Sequence, residues 1–296
     1  MDGVLVVDKP EGLTSHDVVA VARRSLHQRR IGHTGTLDPL ATGVLPLACG
    51  RATRLVRFFV ASDKDYEAMI RFGVTTDSYD ITGIETARSG LWPTREAVEA
   101  ALAPLRGEYQ QVPPAFSAKK IAGERAYARA RRDEHVALAP VPVRVTRAEL
   151  LEFTGVSARI GVTCSAGFYV RSFAHALGHA VGTGGCLESL RRTRSGEFTL
   201  AQAVDLELVR QSSAAVAERW IPLERLLPEL PVFRLSEEGR KRVTHGQMLG
   251  PTHVLANGHP VPQSAGAWVR LVDGQGQLVA LATTSGDSLH PAVVLT

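Results

Sequence analysis

The sequence predicts an α+β fold, strands and helices in alternation, followed by a small β-rich unit. Three observations carry that expectation. Tyr66, Ala68, Ile70 and Phe72 alternate with Glu67, Met69 and Arg71, the period-2 signature of a strand. Val18, Val19, Ala22 and Leu26 instead fall on one face of a helix. Beyond Pro222, Pro228 and Pro231 the texture changes to short apolar runs (HVLA, WVRLV, QLVALA, AVVLT) separated by Gly, Pro and Asn-Gly.

In chain order, residues 3–7 (GVLVV) read as a buried strand, ended by the turn Asp8-Lys9-Pro10 with Gly12. Thr14 and Asp17 form a capping-box pattern that opens a helix ending near the basic HQRR at 27–30. GHTGTLDPLATG, 32–43, carries three glycines and one proline, too many breakers for a regular element, so it reads as a shaped loop. The apolar VLPLACG follows, then the strand with Tyr66 at its opening. Residues 94–106 read as helical, 115–132 as a basic helical stretch, 141–153 and 157–164 as strands, and about 170–181 as a helix. WVRLV-DGQG-QLVALA is a hairpin signal. These features divide the chain into a domain at 1–228 and a small, separate, β-barrel-like one at 229–296, with no internal repeat.

Composition narrows the class. With 44% hydrophobic and 22% charged residues over 296 positions, the chain reads as an ordinary globular protein, and no apolar run reaches membrane-spanning length. MDGVLVVDKP has no basic region before its short apolar stretch, so no secretory signal is expected and the cytoplasm is. Cys49, Cys164 and Cys186 are odd in number and lack a C-x-x-C pair, which argues against a disulfide framework or zinc knuckle. The formal net charge is +4, with arginines clustered at 23–30, 119–132 and 191–194. Arginine forks suit phosphate, so a polyanionic partner fits, although solvated helix faces look the same.

Asp38 stands between Leu37 and Pro39 in the glycine-bounded loop, near His33, Thr34 and Thr36. Proline biases it toward extended geometry. A carboxylate on stiff backbone is how a nucleophile or general base should be mounted; the alternative is an ordinary turn aspartate. Tyr169 and Arg171 open a later helix. An arginine beside a carboxylate favours its ionised form, and an aromatic face can hold an unstacked base, but spacing does not place Arg171 beside Asp38. His175 and His179 have the i, i+4 spacing of metal ligands, yet Ala176 stands where a zincin carries glutamate. Asp77 and Asp80 read as solvated turn acids. No P-loop, G-x-G-x-x-G or G-x-S-x-G occurs, so no metal or other cofactor is expected.

GHTGTLDPLATGVLPLACGRATR resembles the signature of the TruB group of pseudouridine synthases. GVLVVDKPEGLTSHDVV, DKDYEAMIRFGVTTDSYDITG, PPAFSAKKIAGERAYARAR, CSAGFYVRSFAHALG and LRRTRSG are similar to that family in the same order, together covering most of residues 3–196. The resemblance implies a pseudouridine-synthase fold, a mixed sheet flanked by helices, with a C-terminal PUA-like RNA-binding domain. It also implies conversion of the T-loop uridine of tRNA, position 55, without cofactor. Asp38 is then the essential carboxylate, attacking sugar or base or abstracting a ribose proton. Tyr66 stacks on the extruded uracil, Arg171 pairs with Asp38, and Tyr169 and Leu190 line the pocket; core packing is the alternative for all of these. His33 fills the gap left by the flipped nucleotide, against the few kcal/mol of unstacking. Lys9 supports the loop. Lys119, Lys120 and the arginines at 125–132 and 191–194, among them Arg131, Arg132 and Arg191, track phosphates.

Three rivals stand beside this reading: a tRNA-binding or folding chaperone, a guide-RNA-dependent synthase working with partner proteins, and an unrelated α/β enzyme. The set Asp38, Tyr66, Arg171 argues for catalysis. The short chain without long basic tails argues for the stand-alone form, acting on tRNA with no obligatory protein partner, and a monomer is expected.

Overall fold

A computed structural model describes residues 1–116, 120, 121, 124, 125, 138–211, 214–255 and 264–295. Strand β1 (Gly3–Lys9) leads to helix α1 (Ser15–Ser25), then come β2 (Ile31–His33), β3 (Ala41–Cys49), α2 (Val56–Ala61) and β4 (Lys64–Phe72). A side hairpin pairs β5 (Val74–Thr76) with β6 (Glu85–Arg88), followed by α3 (Arg95–Leu102) and β7 (Gly107–Gln111). The short β8 (Lys120–Ile121) and β9 (Glu124–Arg125) precede β10 (Val141–Phe153), β11 (Ser157–Cys164), α4 (Val170–Ala180) and β12 (Gly185–Ser195). Then come β13 (Phe198–Thr199), β14 (Val204–Asp205) and β15 (Ile221–Pro222). The main sheet runs β14-β1-β3-β12-β4-β11-β10-β7, with β2 and β15 paired beside β3 and β1.

The capping box forms as expected: Thr14 Oγ1 accepts from the Asp17 amide at 3.1 Å and Asp17 Oδ2 from the Thr14 amide at 2.8 Å. The alternation at β4 is complete, with Lys64, Tyr66, Ala68, Ile70 and Phe72 buried and the residues between them half-buried. Two readings change. Residues 32–43 are not all loop, because β2 claims its first two residues and β3 its last three, leaving Thr34–Leu40 irregular. Gly43 is what permits this: it has φ 99°, and a Cβ there would lie 2.2 Å from the Arg192 carbonyl of β12. The helix expected over 115–132 is contradicted at Lys120–Ile121 and Glu124–Arg125, which pair as the antiparallel strands β8 and β9. The rest of that stretch from 117 lies outside the described residues.

Strand β12 had no counterpart in the sequence reading, since LRRTRS looks like surface. It is a central strand, parallel to β3 (Leu190↔Ala41, Arg192↔Gly43) and antiparallel to β4 (Leu190↔Ala68, Arg192↔Tyr66).

The sheet is covered on both faces, which is why β1 is continuously apolar. Leu5 and Val7 join a core with α1, α3 and α4, containing Val18, Val98 and Phe173. Val4 and Val6 join the opposite core with Phe59 and Phe198. That second core also contains Leu281, Val293 and Leu295 from the C-terminal sheet, which runs β16 (Val232–Arg234), β17 (Trp268–Val272), β18 (Leu278–Ser285), β19 (Ser288–Val294). The expected hairpin is β17–β18, its turn organised by Asp273 Oδ1, which accepts from the amides of Gln275 and Gln277 at 2.9 Å each. Helix Glu237–Thr244, too charged to show a wide apolar stripe, starts at the Ser236 cap inside this β-rich unit. A small core of its own, including Phe233, Val243 and Leu271, lies between that helix and the sheet. Phe58 meets Trp268 edge to face at 4.8 Å, and Arg51 donates to the Leu295 carbonyl at 2.9 Å, fastening this sheet to the 50–61 segment.

Candidate active site

The Thr34–Leu40 segment is bound to its surroundings at nearly every residue. Thr34 N donates to the Pro46 carbonyl at 3.1 Å. The Ser15 hydroxyl accepts from Leu37 N at 2.8 Å and donates to Leu37 O at 3.1 Å. The Ala41 amide closes a turn on the Asp38 carbonyl at 3.0 Å. The Pro39 carbonyl receives Gly12 N at 2.8 Å and the Lys9 ammonium at 3.3 Å. Lys9 is fully buried, and desolvation pushes its amine down to about 8. The Asp38 side chain leaves this framework, 40% exposed, and lines a cleft.

Arg171, in the first turn of α4, meets this carboxylate. Its Nε lies 2.9 Å from Asp38 Oδ2. Its other nitrogens reach Asp80 Oδ2 at 3.6 Å and donate to the carbonyls of Ser78 at 3.1 Å and Phe116 at 2.8 Å. A fork bonded on three sides has no freedom to swing, so it fixes the orientation of the Asp38 carboxylate. Asp80 corrects the expectation of a solvated turn acid. It is 6% exposed, and its Oδ1 accepts from Ser78 Oγ at 3.0 Å, Thr82 N at 3.0 Å and Thr82 Oγ1 at 2.6 Å. The Ser and Thr two residues to either side were the available signal for a locally bonded carboxylate. Between them Tyr79 adopts φ 64° and stacks on His175 at 3.9 Å, which is the structural setting of the histidine pair.

Helix α4 starts at Tyr169 without a side-chain cap of its own. Gln111 of β7 serves instead, its Oε1 accepting from Tyr169 N at 2.8 Å and its Nε2 donating to Tyr169 O at 3.1 Å. The cleft, about 390 Å³, gathers Asp38, Tyr66, Tyr169, Arg171 and Leu190, so five of the predicted residues meet from four separate parts of the chain. Tyr66 is buried, and burial raises its phenol above the usual range.

The remaining predicted residues are distributed around it. His33, on β2, sits edge to face with His16 at 5.1 Å, and burial pushes its imidazole down to about 4, so it is neutral near pH 7. Arg191 Nη2 pairs with Asp8 at 2.6 Å and is partly exposed. Arg192 corrects the assignment of 191–194 to a phosphate-tracking surface: it is 1% exposed, because position 192 faces the cleft side of a central strand. Arg194 is held by Asp65 at 2.7 Å. Lys120 lies on β8; Lys119, Arg131 and Arg132 fall outside the described residues. Sequence reasoning also missed Ser15 and Lys64, the latter lining the cleft from the start of β4.

Comparison with known proteins gives a consistent result. Residues 23–170 match the family model described as TruB family pseudouridylate synthase (N terminal domain), and residues 171–230 match that of the tRNA pseudouridylate synthase B C-terminal domain. A tRNA pseudouridine synthase B of Solibacter usitatus is 44% identical over 100% of both chains. One of Thermobifida fusca is 42% identical over 99% of this chain and 98% of its own. Among solved structures, an H/ACA RNP bound to a substrate RNA containing 2'-deoxyuridine superposes with TM-score 0.75 and 26% identity, covering 99% of this chain and 85% of that one. An archaeal box H/ACA sRNP Nop10-Cbf5 complex gives TM-score 0.74 and 25% identity over 99% and 86%.

Proposed function

The chain belongs to the TruB family of pseudouridylate synthases, and on that premise we propose that it isomerises the T-loop uridine at position 55 of tRNA, with Asp38 as the essential carboxylate. The observation that carries this reading is the 2.9 Å contact of Arg171 Nε with Asp38 Oδ2, in a cleft that also holds Tyr66 and Tyr169.

The target uridine is flipped out of the tRNA stack, since its reacting atoms are unreachable inside it. The uracil enters the cleft against the Tyr66 ring, with Tyr169 and Leu190 as walls, and His33 fills the vacated place in the RNA. The N1–C1′ bond breaks, the base turns, and C5 bonds to C1′. The C5 proton is released and N1 gains one, so no oxidant or water is consumed. Asp38 acts on sugar, base or ribose proton from a backbone that cannot drift, and a preorganised group of this kind supplies much of a rate enhancement. Arg131, Arg132, Lys119, Lys120 and Arg191 are assigned to tRNA phosphates.

No helix of the described residues is long and apolar enough to cross a membrane. The reaction is assigned to a cytoplasmic monomer acting on tRNA without an obligatory protein partner.

The test is tritium release from tRNA transcribed with 5-tritiated uridine, in buffer without cofactor or added metal. Wild type is expected to release tritium, whereas Asp38→Asn releases none and keeps a tRNA Kd near that of wild type. Bound tRNA without release by wild type would reject the isomerase reading in favour of a chaperone or guide-dependent protein. Reversing the charge of Arg131 and Arg132 is expected to weaken binding and flatten its dependence on salt; an unchanged slope removes them from the phosphate contacts.

A further inference from the structure

Two cations beneath the cleft have no part in the reaction as described. Arg192 is 1% and Lys64 6% exposed, and both line the cavity that holds Asp38 and Tyr66. Among the described residues neither makes an ion pair. Lys64 Nζ donates to the carbonyls of Val60 at 2.6 Å, Phe59 at 3.5 Å and Ser62. Arg192 Nε donates to Val44 O at 2.7 Å and Nη2 to Gly35 O at 3.1 Å, and the guanidinium is close enough to the Tyr66 phenol to oppose the rise that burial causes there. The arginines on either side contrast with it: Arg191 is matched by Asp8 and Arg194 by Asp65. Carbonyl oxygens orient a buried cation but do not neutralise it, and an uncompensated buried charge costs several kcal/mol unless something of opposite sign visits. The strain on Lys64 is visible in its amine, pushed down to about 8 by burial and by the nearby Arg192.

We propose that Arg192 and Lys64 form a cationic floor to the uracil pocket, which stabilises the negative charge the base acquires during the rearrangement. This rests on the isomerase reading and deepens it. The base becomes electron-rich whichever route Asp38 takes. If the sugar loses the base, the electron pair of the N1–C1′ bond leaves on the uracil and spreads to its carbonyl oxygens. If Asp38 adds to the ring, the pair resides in the resulting enolate. In both cases it is returned when C5 bonds C1′; a bond from Asp38 to C1′ breaks as C5 attacks, a bond from Asp38 to the ring breaks as the C5 proton departs, and the exchange closes as N1 is protonated. Fixed charges aimed at such a site act without reorganisation, and removing one donor of this kind lowers kcat by about 10²–10³-fold.

The experiment is single-turnover and steady-state tritium release by Arg192→Gln and Arg192→Lys, with Tm measured alongside. Arg192→Gln is expected to lose about 10²–10³-fold in kcat while KM for tRNA stays within about threefold. Arg192→Lys restores the charge but not the fork, and is expected to regain at least about tenfold of that loss even where its Tm is no higher. Equal rates for the two variants, or rates that simply follow Tm, would overturn the proposal. Should Arg192→Gln fail to fold by circular dichroism, Lys64→Met against Lys64→Arg makes the same comparison with the same criteria. Tritium release by wild type is the control: its absence sinks the isomerase reading itself, whereas an active wild type with indifferent variants sinks the cationic floor alone.

Discussion

At Leu37 both backbone polar groups of the Asp38 loop are satisfied by one hydroxyl, that of Ser15. Ser15→Ala leaves a buried N–H and C=O unpaired, which costs about 1–3 kcal/mol. It also frees the residue next to Asp38, so kcat should fall roughly ten- to a hundredfold, given how steeply rates respond to misplacement. A Tm loss with unaltered kcat would show that Ser15 serves folding and not the geometry of the site. Asp38 was singled out by the family resemblance of its loop, since among glycines and a proline it reads equally as an ordinary turn aspartate. Arg192 and Asp80 were not legible, since a charged residue reads as surface until the strand or loop carrying it is known to be central. Their burial is set by pairing partners more than a hundred residues away, as Arg192 with Gly43, or by a fork arriving from another helix, as Asp80 with Arg171.

Elements with a strong period were readable: β4 alternates, α1 carries its own cap, and the β17–β18 turn is organised by Asp273. Strand β12 defeated the same logic because its buried positions include polar ones, among them Arg192 and Ser195. Where β12 ends, Glu197 accepts the Leu227 amide at 3.0 and 3.1 Å, tying the sheet to the segment before the C-terminal unit. Burial raises its carboxyl to about 7; Glu229 adds to this, while the Leu227 amide and Arg270 oppose it. The folded chain therefore binds this proton more tightly than the unfolded chain, and stability from this group declines as pH rises from about 4.5 toward 7 and stays lost above. Glu197→Gln should match wild type at pH 5 and melt a few degrees higher at pH 8. Identical Tm differences at the two pH values would contradict that assignment. Gly43→Ala, which combines φ 99° with a 2.2 Å clash against the Arg192 carbonyl, should separate β3 from β12 and yield little folded protein by circular dichroism.

For the whole molecule, the change in texture after Pro222 was legible, but the shared core was not, because alternating residues on β1 do not announce what covers each face. Val4, Val6 and Phe59 pack with Leu281 and Leu295. Truncation after 228 should therefore lower Tm by more than about ten degrees and promote aggregation, since an apolar face of the sheet is uncovered. A truncated chain with unchanged Tm and weakened tRNA binding would make the C-terminal unit an independent appendage. The order of strands carries one more consequence, for the chain as it is made. Strands β3 and β4 are adjacent along the sequence but separated in the sheet by β12, which emerges more than a hundred residues later. During synthesis the Asp38 loop, which runs into β3, and Tyr66 on β4 wait without the strand that joins β3 to β4, and long-range pairing of this kind is slow. The site closes only when residue 195 has been added and the sheet has filled, so a ribosome-bound fragment shorter than that carries the signature loop without a working pocket.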